Sequence, residues 1–247
     1  MSAELQAVVF DMDGVLIDSE MTHYLAIKEA MLPAEMTVSY QLYLDTCTGS
    51  DERFAMTRMA DLSGIPYDEE LYASCSRRKA VSYARLVGEE AKAMPGAVEL
   101  VESVAAALPI GLATGSRMAD VEAALAHLAG GRMAGLFQTI VTADEVANSK
   151  PDPATYATAV KNLGVDPSAC FAIEDSPEGI KSALGAGLRV IGVAVMHDAT
   201  KLSQAERVVS TLADVSLEDL RKWFAEPAPP FLKETTFTPS IHNLQIH

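Results

Sequence analysis

Two aspartates separated by one residue stand directly after a short apolar segment near the start of the chain. Residues 7–10 are apolar, and Asp11, Asp13 and Gly14 follow them. If residues 7–10 form a buried strand, carboxylates at i and i+2 project the same way at its carboxyl end, where α/β sheets place their ligands. The same residue types also form ordinary turns. A few such carboxylates can also hold a divalent cation.

Polar residues that suit phosphate chemistry follow three later apolar segments. The first set, Thr114-Gly115-Ser116, offers hydroxyls and a flexible glycine backbone whose N–H groups can bind a phosphate. The second set supplies one cation, Lys150, and the third supplies a further carboxylate pair, Glu174-Asp175. Since Mg²⁺ prefers a few carboxylates with water and substrate phosphate, and relieves repulsion between adjacent carboxylates, the residue types indicate magnesium-assisted phosphoryl transfer.

These side chains can meet only if the apolar segments lie side by side as parallel strands. Short, continuously apolar segments are typical of strands buried on both faces, and helical patterns lie between them. We therefore predict an α/β fold, a Rossmann-like parallel sheet covered by helices. The predicted strands are 7–10, 110–113, 139–142, 170–173, 190–195 and 208–209, and the helices include 97–108, 119–128 and 153–163. A capping pattern, Ser216-x-x-Asp219, marks the start of the last helix.

The alternation of strand and helix stops between about residues 17 and 94. This stretch is rich in Met, Leu, Tyr and Ala and shows no convincing strand, so we predict an all-helical insertion. The expected organisation is a core of residues 1–16 and 95–225, a helical cap of residues 17–94 and a C-terminal tail of residues 226–247.

Composition excludes several classes of partner. The formal charge is 19 − 34 = −15, which argues against nucleic acid, whose binding depends on Lys and Arg. We expect neither a signal peptide nor a membrane span, because the N-terminal segment is acidic and no apolar run approaches about 18 residues. Three widely spaced cysteines suit a reduced, cytoplasmic compartment. The expected partner is a small phosphorylated metabolite, and the choice between a monomer and a homo-oligomer stays open.

The four polar sets, taken together, resemble the motifs of the haloacid dehalogenase superfamily of phosphotransferases. They occur in the family's order, with a helical cap between the first and second, and the likeness covers about residues 5 to 224. It is greatest to the branch that contains β-phosphoglucomutase and small sugar-phosphate phosphatases. The matching motifs are Asp11-Met12-Asp13-Gly14-Val15, Thr114, Lys150 within Ser-Lys-Pro-Asp-Pro, and Glu174-Asp175-Ser176.

The resemblance implies a role for each matched residue. Asp11 would be the nucleophile that forms an aspartyl-phosphate, and Asp13 the general acid and then the base. Thr114 and Lys150 would bind phosphoryl oxygens, with Lys150 also keeping Asp11 ionised. The implied cofactor is Mg²⁺, held by Asp11, the backbone carbonyl of Asp13 and Asp175, with Glu174 either joining or orienting them. The aspartate at 13 favours phosphate esters over carbon–halogen bonds.

Further candidates would contact the substrate. Gly115 and Ser116 belong to the phosphate loop. His23 has the spacing of the β-phosphoglucomutase branch, but a histidine at the cap hinge is an equal alternative. Lys79 falls where that branch has a cap lysine, although a solvated charge run fits the sequence too. Arg117 follows the phosphate loop, where a surface arginine is also plausible.

One departure bears on the reaction. The mutase pattern has a basic residue just before the cap-loop glycine and another three residues after it, whereas here Thr48 precedes Gly49 and Glu52 follows. A mutase must hold a second phosphate, so we predict a phosphatase, with a β-phosphoglucomutase-type isomerase as the alternative. A non-catalytic binding protein would have lost motif residues that are all present. A phosphonate-cleaving relative would need a cap lysine beside the first aspartate, and nothing places Lys28 or Lys79 there.

Overall fold

A six-stranded parallel sheet with helices on both faces forms the main body of the chain. The computed structural model describes residues 4–34, 38–47, 50–195 and 197–227. The strands are β1 Ala7–Phe10, β2 Ile17–Asp18, β3 Lys92–Ala93, β4 Ile110–Ala113, β5 Thr139–Val141, β6 Cys170–Glu174, β7 Arg189–Val193 and β8 Arg207–Val209. The α-helices are α1 Glu20–Met31, α2 Tyr40–Cys47, α3 Glu52–Leu62, α4 Glu69–Glu90, α5 Ala97–Ala105, α6 Met118–His127, α7 Ala154–Leu163, α8 Pro177–Gly185 and α9 Leu217–Ala225. The predicted α/β fold is confirmed.

Strand β1 lies inside the sheet, between β4 and β6. The strand order is β5-β4-β1-β6-β7-β8, and Phe10 is in register with Leu112 of β4 and Ile173 of β6. All strand pairs of this sheet run parallel. The residues that follow β1, β4 and β6 therefore emerge at the same edge, where α/β sheets bind ligands.

The continuous apolarity of β1 has a simple cause. Val8 and Phe10 belong to one buried cluster, whereas Ala7 and Val9 belong to another on the opposite face. All four side chains are fully buried because successive residues of a strand point to opposite faces and helices cover both.

In its described residues, the segment between β2 and β3 contains four α-helices with a core of their own. Tyr24, Met31, Tyr43, Met56 and Cys75 are buried together there. The longest helix, α4, spans 22 residues. The side chain of Asp68 caps it by accepting a hydrogen bond from the Leu71 backbone N–H.

Two short strands bound this helical segment, and they were not predicted. Ile17–Asp18 pairs antiparallel with Lys92–Ala93. The expectation of no strand between 17 and 94 was wrong here, because a two-residue strand is too short to carry a hydrophobic period. The division into core and cap at residues 17 and 94 stays a prediction.

Several smaller expectations have clear outcomes. The capping box of Ser216 and Asp219 is formed at the start of α9. Strands β5 and β7 end earlier than predicted, at Val141 and Val193. All three cysteines are buried and free. Within the described ranges, no helix combines the length and apolarity needed to cross a membrane. Most of the predicted tail, from residue 228 onward, lies outside the described residues.

Candidate active site

Lys150 joins two carboxylates that come from neighbouring strands. Its Nζ donates hydrogen bonds to Oδ1 of Asp11 at 2.8 Å and to Oε1 of Glu174 at 2.5 Å. Asp11 follows β1, where its backbone N–H bonds to the carbonyl of Ile173, and Glu174 is the last residue of β6. All three charged side chains are at least nine-tenths buried. The fold therefore brings Lys150 and Asp11 together across a separation of 139 residues.

Both oxygens of Glu174 are occupied by protein donors. Tyr156 donates its hydroxyl hydrogen to Oε1 at 3.0 Å, beside Lys150. The backbone N–H groups of Asp175 and Ser176 and the Ser176 hydroxyl bond to Oε2. Gly179 packs so closely that a Cβ there would lie 1.8 Å from Oε1. Glu174 thus orients Lys150, which fits the orienting role among the two that the sequence left open.

Three buried carboxylates converge beside Lys150. One oxygen from each of Asp11, Glu174 and Asp175 lies within 4.8 Å of the others. Burial, opposed by Lys150 and reinforced by Glu174, raises the pKa of Asp11 to about 7. Burial, with Glu174 and Asp11 nearby, also raises the pKa of Asp175 well above its ordinary value. A single ammonium does not balance three carboxylates, so the donor set fits a hard divalent cation.

Gly14 makes room for this carboxylate cluster. It has φ +78°, and a Cβ there would lie 2.0 Å from Oδ2 of Asp175. Any other residue would therefore be strained by the positive φ, and its Cβ would collide with Asp175.

Asp13 lies apart from the carboxylate cluster and is held by three donors. Ser116 Oγ donates to its Oδ2 at 2.7 Å, whereas Ser19 Oγ and His23 Nε2 approach Oδ1 at 2.5 and 3.0 Å. Burial alone would raise the pKa of Asp13, but His23, Ser19 and Ser116 outweigh it and hold that pKa well below its ordinary range. Asp13 is thus a carboxylate in this arrangement. His23 is placed at the site, as one of its two sequence interpretations expected.

The predicted phosphate loop follows β4 and lines the same cavity as Asp11. Thr114, Gly115 and Ser116 all line the cavity that contains Asp11, Asp13 and Lys150. The Thr114 side-chain oxygen accepts a hydrogen bond from the Ser116 backbone N–H at 3.0 Å. The Thr114 hydroxyl can still donate its own hydrogen to a ligand oxygen.

Lys79 is not part of a solvated charge run. Its side chain is 1% exposed and lines the same cavity. It bonds to Asp120 of α6, and Oε2 of Glu52 lies 3.4 Å from its Nζ. The Nζ also stands over the ring of Tyr83, 4.7 Å from the centroid. Lys79 consequently joins the helical segment to the sheet domain.

Arg117 is placed elsewhere. It donates hydrogen bonds to Asp144 at 2.9 Å and to Ser76 Oγ at 2.6 Å, and its side chain is 40% exposed. It lines a neighbouring cavity together with Glu52 and Asp120, not the cavity around Asp11. Its predicted contact with substrate stays a prediction that this geometry does not favour.

Several residues around the site escaped sequence reasoning. Ser19, Tyr156 and Asp120 belong to helices or their starts and occur in no motif that we recognised. Gly179 had a weaker signal, since it lies within the first turn of a helix that opens with Ser176-Pro177. Of the cap-loop pattern, Glu52 is described, whereas Thr48 and Gly49 lie outside the described residues.

Several known proteins resemble this chain in sequence or in fold. The family model described as haloacid dehalogenase-like hydrolase matches residues 5–187. The validoxylamine A 7'-phosphate phosphatase of Streptomyces hygroscopicus subsp. limoneus is 33% identical, covering 85% of this chain and 95% of its own. The fructose-1-phosphate phosphatase YqaB of Escherichia coli (strain K12) is 29% identical, covering 76% and 96%. The crystal structure of CbbY from Rhodobacter sphaeroides in complex with phosphate has a TM-score of 0.80 and 26% identity, covering 87% and 99%.

Proposed function

Because the chain belongs to the haloacid dehalogenase-like hydrolase family and is a phosphoric monoester hydrolase, we propose that it hydrolyses a small sugar or polyol phosphate through an aspartyl-phosphate on Asp11. The observation that carries the proposal is the bridge from Lys150 to Asp11 and Glu174, with Asp175 alongside. It places an anionic nucleophile beside a fixed cation at the ligand-binding edge of the sheet.

In the first step, an Asp11 carboxylate oxygen attacks phosphorus and the bond from phosphorus to the ester oxygen breaks. Lys150 keeps Asp11 in place and attracts the oxygens of the transferring group, together with the Thr114 hydroxyl and the loop N–H groups. Lys150 needs little reorganisation at the moment of transfer, since Glu174 already holds its ammonium group and Tyr156 in turn holds Glu174.

Asp13 handles the proton in both steps. It gives a proton to the departing ester oxygen and later takes one from the water that attacks the aspartyl-phosphate. Its low pKa in this arrangement suits the second role. A bound phosphate dianion would raise that pKa and favour the protonated form needed for the first. His23, Ser19 and Ser116 hold the carboxylate in one orientation throughout.

The carboxylate cluster is the proposed magnesium site. Asp11 and Asp175 would hold the ion together with the Asp13 backbone carbonyl, while Glu174 orients the set. Bound Mg²⁺ would neutralise charge on the transferring phosphoryl group. The fit rests on geometry, since three buried carboxylates have one oxygen each within 4.8 Å of the others and, among the described residues, only the Lys150 ammonium contacts two of them.

A mutase of the β-phosphoglucomutase type is the second candidate. The shared fold and the buried lysine of the helical segment, Lys79, are the features that favour a mutase. Glu52 opposes it, because a carboxylate now stands where a second phosphate would need a cation.

The test is phosphate release from p-nitrophenyl phosphate and a panel of sugar phosphates with Mg²⁺, comparing wild type with Asp11→Asn. We expect steady release in wild type and a loss of about 10³-fold or more in the variant. Conversion of β-glucose 1-phosphate to glucose 6-phosphate faster than phosphate appears would favour the mutase. Release from no ester would refute the proposed function.

A further inference from the structure

We infer that the cavity beyond the phosphoryl site selects a leaving group that carries no second anion and presents hydroxyl or ammonium donors, and that Glu52 determines this selectivity. The inference rests on the proposed phosphatase function and narrows its substrate class. It is drawn from the charges that line the cavity and from the contacts that hold them in place.

The cavity's positive charges are already paired. Among its described lining residues, Lys79 and Lys150 are the two that carry a permanent positive charge. Lys150 contacts Asp11 and Glu174, at the phosphoryl site. Lys79 contacts two other carboxylates, those of Glu52 and Asp120. Neither ammonium is therefore available to a second phosphate without breaking an existing ion pair.

The ion pairs of Lys79 are buried, which makes them costly to break. The side chains of Lys79, Asp120 and Glu52 are 1%, 2% and 7% exposed. If Lys79 turned to a second phosphate, it would leave two buried carboxylates beside a new anion. Removing one partner of a buried pair leaves an uncompensated charge, and like charges brought together at a recognition site are strongly disfavoured.

Glu52 is fixed at the cavity wall by further donors. Ser76 donates its hydroxyl hydrogen to Oε1 at 2.6 Å, and Arg117 Nη1 lies 3.8 Å from the same oxygen on the outer side. Its other oxygen, Oε2, faces Lys79. Glu52 thus cannot swing away without giving up these contacts, and its charge stays in the wall.

Other cavity residues are acceptors as well. Glu20 and Asp51 also line the cavity, although Asp51 uses one oxygen to cap α3. Apart from the residues of the phosphoryl site, four acidic residues and one lysine of the described part of the chain thus line the cavity: Glu20, Asp51, Glu52, Asp120 and Lys79. Hydroxyl and ammonium groups of a substrate can donate to such a wall, whereas a phosphate or carboxylate can only accept once ionised.

The experiment compares kcat/KM for two matched substrate pairs in the full-length protein with Mg²⁺. In the first pair, fructose 1,6-bisphosphate differs from fructose 1-phosphate by a second anionic group. In the second pair, glucosamine 6-phosphate has an ammonium group where glucose 6-phosphate has a hydroxyl. The variant is Glu52→Gln, which removes the charge and keeps the shape. Glu70→Gln is the control, an exposed residue of α4 outside the cavity.

In wild type and Glu70→Gln, we expect fructose 1-phosphate to exceed the bisphosphate by about tenfold or more and the amino sugar to equal or exceed glucose 6-phosphate. Glu52→Gln should reduce the kcat/KM ratio of fructose 1-phosphate to the bisphosphate by about tenfold. It should also lower the kcat/KM ratio of glucosamine 6-phosphate to glucose 6-phosphate. Equal use of both fructose phosphates by wild type would overturn the inference even if Glu52→Gln failed to fold. So would a folded Glu52→Gln with unchanged ratios. These results leave phosphatase activity intact, whereas hydrolysis of no substrate would refute the proposed function itself.

Discussion

The Cα of Gly179 lies directly against the carboxylate of Glu174, with no space for a Cβ between them. Helix α8 thereby presses the residue that positions Lys150 into its place at the end of β6. Gly179 thus sets the position of Lys150 through one intermediate side chain, that of Glu174.

Replacing Gly179 with alanine should damage both stability and catalysis. The new Cβ would force Glu174 to shift, at a cost of about 1–3 kcal/mol for overpacking, and Lys150 would lose alignment with Asp11. We expect kcat to fall by about tenfold or more. Thermal unfolding and steady-state kinetics measure the two effects. The matched control is Gly88→Ala in α4, where a Cβ meets nothing within 4 Å and should add up to about 1 kcal/mol of stability. Equal behaviour of the two variants would contradict the steric argument.

Asp175→Asn should change stability and activity in opposite directions. The substitution keeps the shape and removes a charge that burial, Glu174 and Asp11 make unfavourable. Without divalent cations the melting temperature should therefore rise at about pH 8. Activity should fall by about 10²-fold or more and the Mg²⁺-induced rise in melting temperature should disappear, because a proposed metal ligand is lost. Calorimetry with and without Mg²⁺ separates these effects, and a lower metal-free melting temperature would count against charge crowding at the site.

Metal-free protein should become less stable as the pH rises from about 5.5 to 8. Asp11 has a pKa of about 7 when folded and an ordinary value of 3.8, so the folded state binds more protons than the unfolded chain across this window. Stability then falls with pH, by at most about 1.4 kcal/mol per pH unit for one group. Melting curves in EDTA measure the slope. Mg²⁺ should flatten it, since the cation replaces the proton as the compensating charge. A rising slope in EDTA would be the contrary result.

Arg117→Ala should leave substrate binding nearly unchanged. The guanidinium bonds to Asp144 and Ser76 and lies outside the cavity around Asp11. We expect KM for fructose 1-phosphate to stay within about threefold of wild type, since exposed pairs contribute about 0–1 kcal/mol. A large rise in KM with kcat unchanged would instead support the substrate contact that the sequence suggested.

The sheet and its carboxyl-edge residues were predictable because each depends on local patterns. The apolar segments of β1, β4 and β6 are continuous, and the polar sets directly follow them. What could not be predicted depends on contacts between distant segments. No periodic sequence pattern indicates that Lys79 pairs with Asp120. The same is true of the hydrogen bond from Tyr156 to Glu174. The strands Ile17–Asp18 and Lys92–Ala93 are too short to show a periodic pattern.

The pairing of Ile17 with Ala93 has a consequence for how such chains diversify. Partners in an antiparallel ladder lie only about 5 Å apart, so the chain leaves the sheet domain and returns to it at nearly one point. A segment attached in this way can be exchanged, lengthened or shortened while the register of Phe10 with Leu112 and Ile173 stays the same. This two-stranded pairing therefore allows the helical segment to change in length or sequence while the strand ends around Asp11 keep their positions.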